Sequence, residues 1–300
     1  MPSQARMKSI LNAHRSNIAL IVGNGVNRYR SAKATNSWHD LLMQLAKEYF
    51  PSKLKKVPPG VSLTEFYDVL ELKTTNAAIE KTLQQKFGDL MASWKPFKHH
   101  ERIIEWAKQN NSPALTTNFD RVLADAGSLK LLRTRSDGFT DYYPWESYYG
   151  DNVITDPGKE FGLWHINGMI EYHRSIRLGL THYMGSVERA RRLIYKGSGP
   201  KLFSGNHTNW QGNKSWLHII FNAPLLIFGL GLDENEVFLR WLLIERARYF
   251  KKFPNRKQKA WYVHSKSQDN PGKEFFLEGV GIEAVQVEGY DDIYGPGVWE

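Results

Sequence analysis

The sequence predicts an α/β fold, a Rossmann-like doubly wound parallel sheet with a helical insert subdomain. Six short segments with strand signals predict its strands; they are residues 18–22, 113–117, 162–166, 224–230, 259–265 and 282–288. The continuous apolar run at 18–22 is typical of a strand that is buried on both faces of a parallel sheet. Helical patterns, such as the one at 234–249, alternate with these segments, and this alternation indicates a doubly wound topology.

The helical insert is predicted by a different periodicity, which lies between the first two strands. Apolar residues recur at helical spacing from Trp38 to Leu45, and prolines separate three further helical patterns at 66–72, 77–91 and 102–108. We therefore expect one domain over residues 1–300 with three parts. A Rossmann-like core covers about 14–36, 110–170 and 214–300, the helical insert covers about 37–109, and a mobile loop region covers about 171–213.

Composition limits the chemistry that this chain can perform. Its 300 residues include no cysteine, which excludes disulfides, zinc sites built on thiolates and a cysteine nucleophile. We expect no metal cofactor, and the absence of cysteine favours a cytoplasmic location. Residues 1–20 carry Arg6, Lys8 and Arg15 and no sustained apolar stretch, so we expect neither a signal peptide nor a membrane span.

The positive charge is unevenly distributed. Forty Lys and Arg residues against 31 Asp and Glu residues give a net charge of +9, and the excess is concentrated at 189–201 and 246–259. Two interpretations remain open, namely solvated helix faces and a surface for phosphate-bearing partners such as nucleic acid. The aromatic segment 142–149 and the basic segment 246–259 are the candidate docking surfaces for a partner.

Small and polar residues follow four of the predicted strands. They are Gly23-Asn24-Gly25, Thr117-Asn118-Phe119-Asp120, Asn167-Gly168 and Gly229-Leu230-Gly231. Because the carboxyl ends of parallel strands meet at one edge of the sheet, this pattern predicts a nucleotide site there. Arg28 stands where the third glycine of the dinucleotide fingerprint belongs, which disfavours a hydride-transfer dehydrogenase. A plain tight turn at 23–25 and helix caps at Asn118 and Asp120 are the structural alternatives.

His165 and Asn167 are spaced two residues apart in the third of these segments. On a strand, this spacing directs both side chains to the same face, so we expect them to enter one cavity together with Asn118. A histidine with a pKa of about 6.5 can take a proton from water or a sugar hydroxyl, as general-base catalysis at neutral pH requires. We therefore predict Asn118 and His165 as the catalytic pair, with core packing as the alternative role of the histidine.

The motifs GNGVN, TTNFD, HING and FGLGLDENE, in this order, resemble those of the sirtuin-like family. The family's usual forms are GAG-V-S, T-Q/T-N-Y/I-D, L-H-G and G-Y-S-L-x-D. The similarity covers about residues 18–249 and is greatest to a cysteine-free bacterial branch, the NAD-hydrolysing effectors of antiphage defence. The resemblance implies that NAD is the substrate and that no metal is needed. We therefore predict a cofactor-binding set, which comprises Gly23, Asn24, Gly25, Val26, Asn27, Trp38, Thr117, Asp120, Asn167, His182, Gly229, Gly231 and Glu234.

The resemblance assigns roles to parts of this set. Residues 23–27 would cradle the pyrophosphate. Thr117, Asn118 and Asp120 would contact the nicotinamide ribose and the attacking water, and residues 229–234 would contact the adenosine. The departure is at Asn167, because the family places its catalytic histidine directly before the glycine. Three explanations remain open: His165 replaces that histidine, the chain is a weakened or inactive relative, or it carries a deliberate His-to-Asn change that suppresses toxicity.

The expected function is an NAD+ glycohydrolase that acts as a regulated effector of antiphage defence by depleting NAD and aborting infection. The alternative is a non-catalytic NAD or nucleotide sensor that acts through a partner protein. Protein deacylation is the third hypothesis, and it is disfavoured because deacetylating sirtuins usually carry a four-cysteine zinc module. Since uncontrolled NAD hydrolysis would kill the host, we also expect a homo-oligomer, a regulatory partner protein or both.

Overall fold

A computed structural model describes residues 3–30, 37–50, 54–74, 81–135, 142–196, 199–268 and 270–300. The strands are β1 (Ala19–Val22), β2 (Ala114–Thr116), β3 (Lys130–Arg133), β4 (Ser147–Gly150), β5 (Leu163–His165), β6 (Leu225–Phe228), β7 (Ala260–Ser265) and β8 (Glu283–Val287). The first six helices are α1 (Ser3–His14), α2 (Gly25–Arg28), α3 (Trp38–Tyr49), α4 (Leu63–Thr74), α5 (Leu83–Met91) and α6 (Lys98–Gln109). The remaining helices are α7 (Val122–Ala126), α8 (Leu180–Ile194), α9 (Trp216–Asn222), α10 (Val237–Lys252), α11 (Pro271–Gly279) and α12 (Asp291–Tyr294). Short 3-10 helices lie at Ile170–Ser175, Leu202–Ser204, Pro254–Arg256, Lys266–Gln268 and Pro296–Val298.

The eight strands form one sheet in the order β3-β4-β5-β2-β1-β6-β7-β8. All pairs from β5 to β8 are parallel, whereas β3 with β4 and β4 with β5 are antiparallel. All six predicted strands are confirmed, as is the α/β class. The antiparallel edge was missed because its strands have little of the continuous apolar character that marks a buried parallel strand. One of them, β4, overlaps the aromatic segment 142–149.

The central strand β1 shows why the sequence pattern predicted burial on both faces. Ala19 and Ile21 pack into one hydrophobic cluster, while Leu20 and Val22 pack into another on the opposite face of the sheet. Since successive side chains of a strand point to opposite faces, only a run of apolar residues can satisfy both clusters at once. Helices cover both clusters, so the sheet is packed between two layers of helices.

A third hydrophobic cluster lies among the helices that connect β1 to β2. Leu42 of α3, Tyr67 of α4 and Phe87 of α5 are fully buried in it. The fourth helix of this connection, α6, instead packs Ile103 and Ile104 into a cluster of the sheet. The helix α6 therefore packs on the sheet just before the chain enters β2. Of the four helices in this connection, only α3 to α5 share the third cluster. Residues 77–80 of the predicted helix 77–91 lie outside the described residues.

The region 171–213, which was predicted to contain a mobile loop, includes α8 and a 3-10 helix at Leu202–Ser204. Leu202 and Trp210 are buried against the sheet cluster that contains Ile21. Within the described ranges, none of the helices is both long and apolar enough to cross a membrane.

The aromatic segment 142–149 was a candidate docking surface, and the structure contradicts this assignment. Tyr143, Tyr148 and Tyr149 are buried, and the Tyr143 hydroxyl donates a hydrogen bond to the carbonyl oxygen of Ile166. Aromatic side chains that are buried in this way belong to the core, so they are not available to a partner. Of the tyrosines in this segment, Tyr142 alone is exposed.

Candidate functional site

The order of the strands determines where a ligand can bind. From β1, the chain adds β2 and β5 on one side, and it then returns to add β6, β7 and β8 on the other. The connections that follow β1 and β6 therefore run toward opposite edges of the sheet. In open α/β sheets, such a topological switch point forms the crevice in which ligands bind.

Glycines allow the loops after β1 and β6 to touch. The Gly23 N–H donates to the carbonyl of Phe228 at 3.0 Å, and the Gly25 N–H donates to the carbonyl of Gly229 at 2.6 Å. A Cβ atom on Gly23 would lie 2.3 Å from the Cβ of Leu230, and one on Gly25 would lie 2.8 Å from the Gly229 oxygen. Gly229 itself has a φ of 71°, which favours glycine. These glycines therefore close the floor of the crevice by backbone contact.

This contact gives a prediction about stability. We expect Gly23→Ala to lower the free energy of unfolding by about 2 kcal/mol or more, because the added methyl group would collide with the Leu230 side chain and with backbone. Gly185→Ala, in α8, is the matched control: nothing lies within 4 Å of the added Cβ, and alanine favours a helix over glycine by about 1 kcal/mol. Urea denaturation measures both. Equal losses of stability in the two variants would contradict the close packing.

A cavity of about 500 Å³ opens above this floor, within the size range of small-molecule sites. Most of the residues that line it come from the ends of β1, β2, β5 and β6 and from the connection between β1 and β2, and the others include Tyr183 of α8 and Val263 of β7. The strand-end loops contribute Asn24, Gly25, Arg28, Tyr29, Thr117, Asn118, Phe119, Asp120, Asn167, Gly229, Leu230, Gly231, Asp233, Asn235 and Glu236. The β1–β2 connection contributes, among others, Ser37, Trp38, His39, Phe87 and Trp94. The cavity therefore contains most of the predicted strand-end residues.

Asn118 is the most informative residue of the cavity. Its side chain is only 6% exposed, and among the described residues neither its Nδ2 nor its Oδ1 has a hydrogen-bond partner. The Oδ1 of Asn167 and the Nε1 of Trp38, which also line the cavity, are likewise buried without a partner. A buried polar group that is left unpaired costs about 1–3 kcal/mol, so native proteins rarely keep several in one place without a ligand. The cavity thus offers both donors and acceptors.

Asp120 lies beside Asn118 in the same loop and is held by two donors. Its Oδ1 accepts from the N–H of Val122 at 2.9 Å, and its Oδ2 accepts from the Nδ2 of Asn27 at 2.8 Å. Burial raises the pKa of this carboxyl group to about 6, although both hydrogen bonds oppose the shift. The group can therefore exchange a proton near neutral pH.

The structure does not place His165 in the cavity, so the prediction that it shares a hollow with Asn118 is wrong. The strand β5 ends at His165, and the Nε2–H of the imidazole donates to the backbone carbonyl of Asp120 at 3.0 Å. The ring packs edge-on against Tyr149, with 5.4 Å between centroids, and burial lowers its pKa. Because Asn167 follows in a turn, alternation along a strand no longer applies, and Asn167 enters the cavity without His165.

The other predicted site residues separate into two groups. Trp38, Thr117, Gly229 and Gly231 line the cavity together with Asn24 and Gly25. Gly23, Val26, Asn27, His182 and Glu234 do not line it. Val26 belongs to a sheet cluster, and Asn27 is buried in the network that holds Asp120. His182 caps α8, because its Nδ1 accepts from the N–H of Gly179 at 3.4 Å, and burial lowers its pKa to about 4.

The sequence did not single out Glu236, one of the acidic residues that line the cavity. Asp233 and Glu236 line it, whereas the predicted Glu234 is exposed. Burial, together with the nearby Asp233, raises the pKa of Glu236 to about 8. The DENE run was the available signal, but the direction of each side chain in an irregular loop cannot be read from spacing. Within the described ranges, no group of three or more His, Asp or Glu side chains is placed to bind a metal.

A scan against protein-family models finds no match to this chain, and a search of curated proteins finds none either. The resemblance to sirtuin-like proteins therefore stays a prediction from short motifs. Function must be inferred from the chemistry of the cavity.

Proposed function

We propose that the cavity binds NAD+ and hydrolyses its bond between ribose and nicotinamide, which yields ADP-ribose and nicotinamide. The observation that carries this proposal is the buried, unpaired amide of Asn118 at the end of β2. An amide offers one acceptor and two donor hydrogens without a charge, which suits a ribose hydroxyl or a water molecule. Its place beside a topological switch point favours a nucleotide as the ligand, as expected of a Rossmann-like fold.

The proposed reaction places few demands on the protein. The nicotinamide leaves as a neutral molecule when the C–N bond breaks and its electron pair returns to the ring nitrogen, so acid catalysis of departure is unnecessary. Water then adds to the oxocarbenium-like carbon, and one of its protons passes to the carboxylate of Asp120. Asn118 orients the ribose and the water, which is the main contribution in a reaction of this type. The raised pKa of Asp120, about 6, suits a base that works near neutral pH.

A second function is favoured by a specific observation. Asn167 lines the cavity where the resemblance expects a histidine, and His165 lies outside it. An asparagine cannot accept a proton from water, so a protein that binds NAD+ or another nucleotide without cleaving it is the second candidate. Such a sensor would transmit binding to a partner protein.

The test incubates purified full-length protein with NAD+ at pH 7.5 and measures nicotinamide by chromatography, with calorimetry in parallel. Release of nicotinamide in proportion to enzyme concentration supports hydrolysis. Saturable binding with complete recovery of NAD+ supports the sensor and rejects hydrolysis. Absence of both, in every oligomeric state separated by size-exclusion chromatography, rejects the two proposals together.

The wider biological role follows only from the proposed activity. Depletion of NAD would suit an effector of antiphage defence that is kept inactive by self-association or by a partner protein. Light scattering at several protein concentrations tests self-association. Of the two candidate docking surfaces, the basic segment 246–259 retains exposed lysines, including Lys251 and Lys257, and nucleic acid stays a possible partner of that segment.

A further inference from the structure

Two consecutive histidines of α6 contact the short helix α2, which follows the glycine loop. His99 is hydrogen-bonded through Nε2 to the carbonyl of Val26 at 2.8 Å, and His100 through Nε2 to the Oδ1 of Asn27 at 3.1 Å. Both histidines are buried, His100 completely. Neither lines the cavity, and the motifs gave no reason to single them out.

The neighbours of His100 determine which of its ring nitrogens carries the proton. Its Nδ1 accepts a hydrogen bond from the backbone N–H of Phe97 at 2.9 Å, so Nδ1 is unprotonated. The proton of the neutral ring is therefore on Nε2, which donates to the Oδ1 of Asn27. Burial lowers the pKa of His100 to about 3, so the ring stays neutral at physiological pH. His100 is thus a fixed donor rather than a pH-sensitive group.

This donor determines how the amide of Asn27 is oriented. With Oδ1 directed at His100, both hydrogens of Nδ2 are used, one toward the Oδ2 of Asp120 at 2.8 Å and one toward the Oδ1 of Asn24 at 3.0 Å. A flipped amide would place its oxygen against the carboxylate of Asp120, with two acceptors facing each other. Asn27 is 3% exposed, so water has little access to replace either contact.

Asn24 and Asp120 both line the cavity, and they come from the ends of different strands, β1 and β2. We propose that His100 is a positioning residue of the site, which acts by fixing the Asn27 amide and thereby holding Asp120 and Asn24 in place. The inference rests on the proposed function in so far as the cavity is the ligand site. Its hydrogen-bond geometry can be tested without a ligand.

Two substitutions separate this role from a structural one. His100→Gln places an Nε2 donor where the imidazole Nε2 was, but it loses the acceptor at Nδ1 for the Phe97 N–H. His100→Asn keeps an acceptor near the former Nδ1, but its side chain is too short to reach Asn27. If His100 only caps α6, the asparagine variant should resemble the wild type more closely. If His100 positions the site, the glutamine variant should resemble the wild type more closely than the asparagine variant does.

The experiment measures kcat/KM for NAD+ hydrolysis in both variants, or Kd if NAD+ is bound but not cleaved. We expect His100→Asn to lose about tenfold or more, and His100→Gln to recover most of the loss. Equal losses in both variants, or a larger loss in His100→Gln, would overturn the positioning role. Thermal unfolding of both variants verifies that each is folded.

Crystal structures of the ligand-free variants provide the second readout. The 2.8 Å contact between Asn27 Nδ2 and Asp120 Oδ2 should persist in His100→Gln and be broken in His100→Asn. If the wild-type protein neither binds nor cleaves NAD+, the proposed function fails, and these structures still decide the positioning role. An unchanged contact in both variants would overturn it. If the contact differs between the variants as expected but the wild-type protein neither binds nor cleaves NAD+, the hydrogen bonds of His100 and Asn27 position a site for another ligand.

Discussion

Replacing Asn118 with alanine is expected to lower NAD+ hydrolysis by about 100-fold or more while leaving the fold as stable as the wild type, or more stable. The two effects have one cause. Among the described residues, the buried amide of Asn118 has no hydrogen-bond partner, so its removal relieves a desolvation cost that no hydrogen bond to those residues offsets. In the reaction, the same amide is proposed to hold the ribose and the attacking water. Sites that perform chemistry commonly trade stability for function in this manner.

The matched control is Asn110, whose amide nitrogen and oxygen are both hydrogen-bonded outside the cavity. Its Nδ2 donates to the carbonyl of Trp106 at 2.8 Å, and its Oδ1 accepts from the Nε of Arg15 at 3.1 Å. We expect Asn110→Ala to lose about 1 kcal/mol of stability and to keep its hydrolysis rate. Urea denaturation and the nicotinamide assay measure both variants. A marked loss of stability in Asn118→Ala would show that the amide has a structural partner and would contradict its assignment to a ligand.

Replacing Arg246 with methionine is expected to cost about 3 kcal/mol of stability, the largest effect anticipated outside the cavity, because buried carbonyl oxygens would lose their donor. Arg246 is 3% exposed, and its guanidinium donates to the backbone carbonyls of Ile220, Ala223, Gln258 and Lys259. Burial lowers its pKa to about 9, and the ring of Phe250 lies 4.6 Å from its guanidinium carbon. Methionine fills similar space but would leave four carbonyl oxygens without this donor.

Lys251→Met on the same helix is the control for this prediction, because Lys251 is exposed and its substitution should change stability by less than about 0.5 kcal/mol. Denaturant unfolding of both variants is the measurement. Similar small effects would mean that Arg246 is dispensable to the junction of α9, α10 and β7. The result also concerns partners, since a buried arginine that is engaged with backbone cannot bind phosphate. The basic segment 246–259 thus offers fewer free charges than its composition suggests.

Much of the fold could be predicted from the sequence because a short run of apolar residues is typical of a buried parallel strand. The run at 18–22 must satisfy a hydrophobic cluster on each face, and this requirement is visible in the residue types alone. The antiparallel strands β3 and β4 gave no such signal. The tyrosines around β4 were interpreted as a surface segment, yet tertiary packing buries Tyr148 and Tyr149. Whether an aromatic residue is covered depends on distant elements, which local pattern does not contain.

The site was predictable at the level of strand ends but not of side-chain direction. Asn118, Asn24 and Gly229 meet at one cavity because the carboxyl ends of their strands share an edge of the sheet. The direction of His165 was mistaken because β5 ends at that residue and the chain turns before Asn167. The hydrogen bond between His100 and Asn27 could not be predicted from the sequence, since it joins residues 73 positions apart.

We propose that the unpaired amide of Asn118 is the point at which this cavity holds NAD+. Calorimetric titration with an NAD+ analogue whose ribose–nicotinamide bond cannot be cleaved tests it most directly, because binding is then measured apart from chemistry. Saturable binding of one analogue per chain in the wild type, weakened at least tenfold in Asn118→Ala, is the predicted result. Absence of binding to the wild type, or equal affinity in both proteins, would contradict the claim.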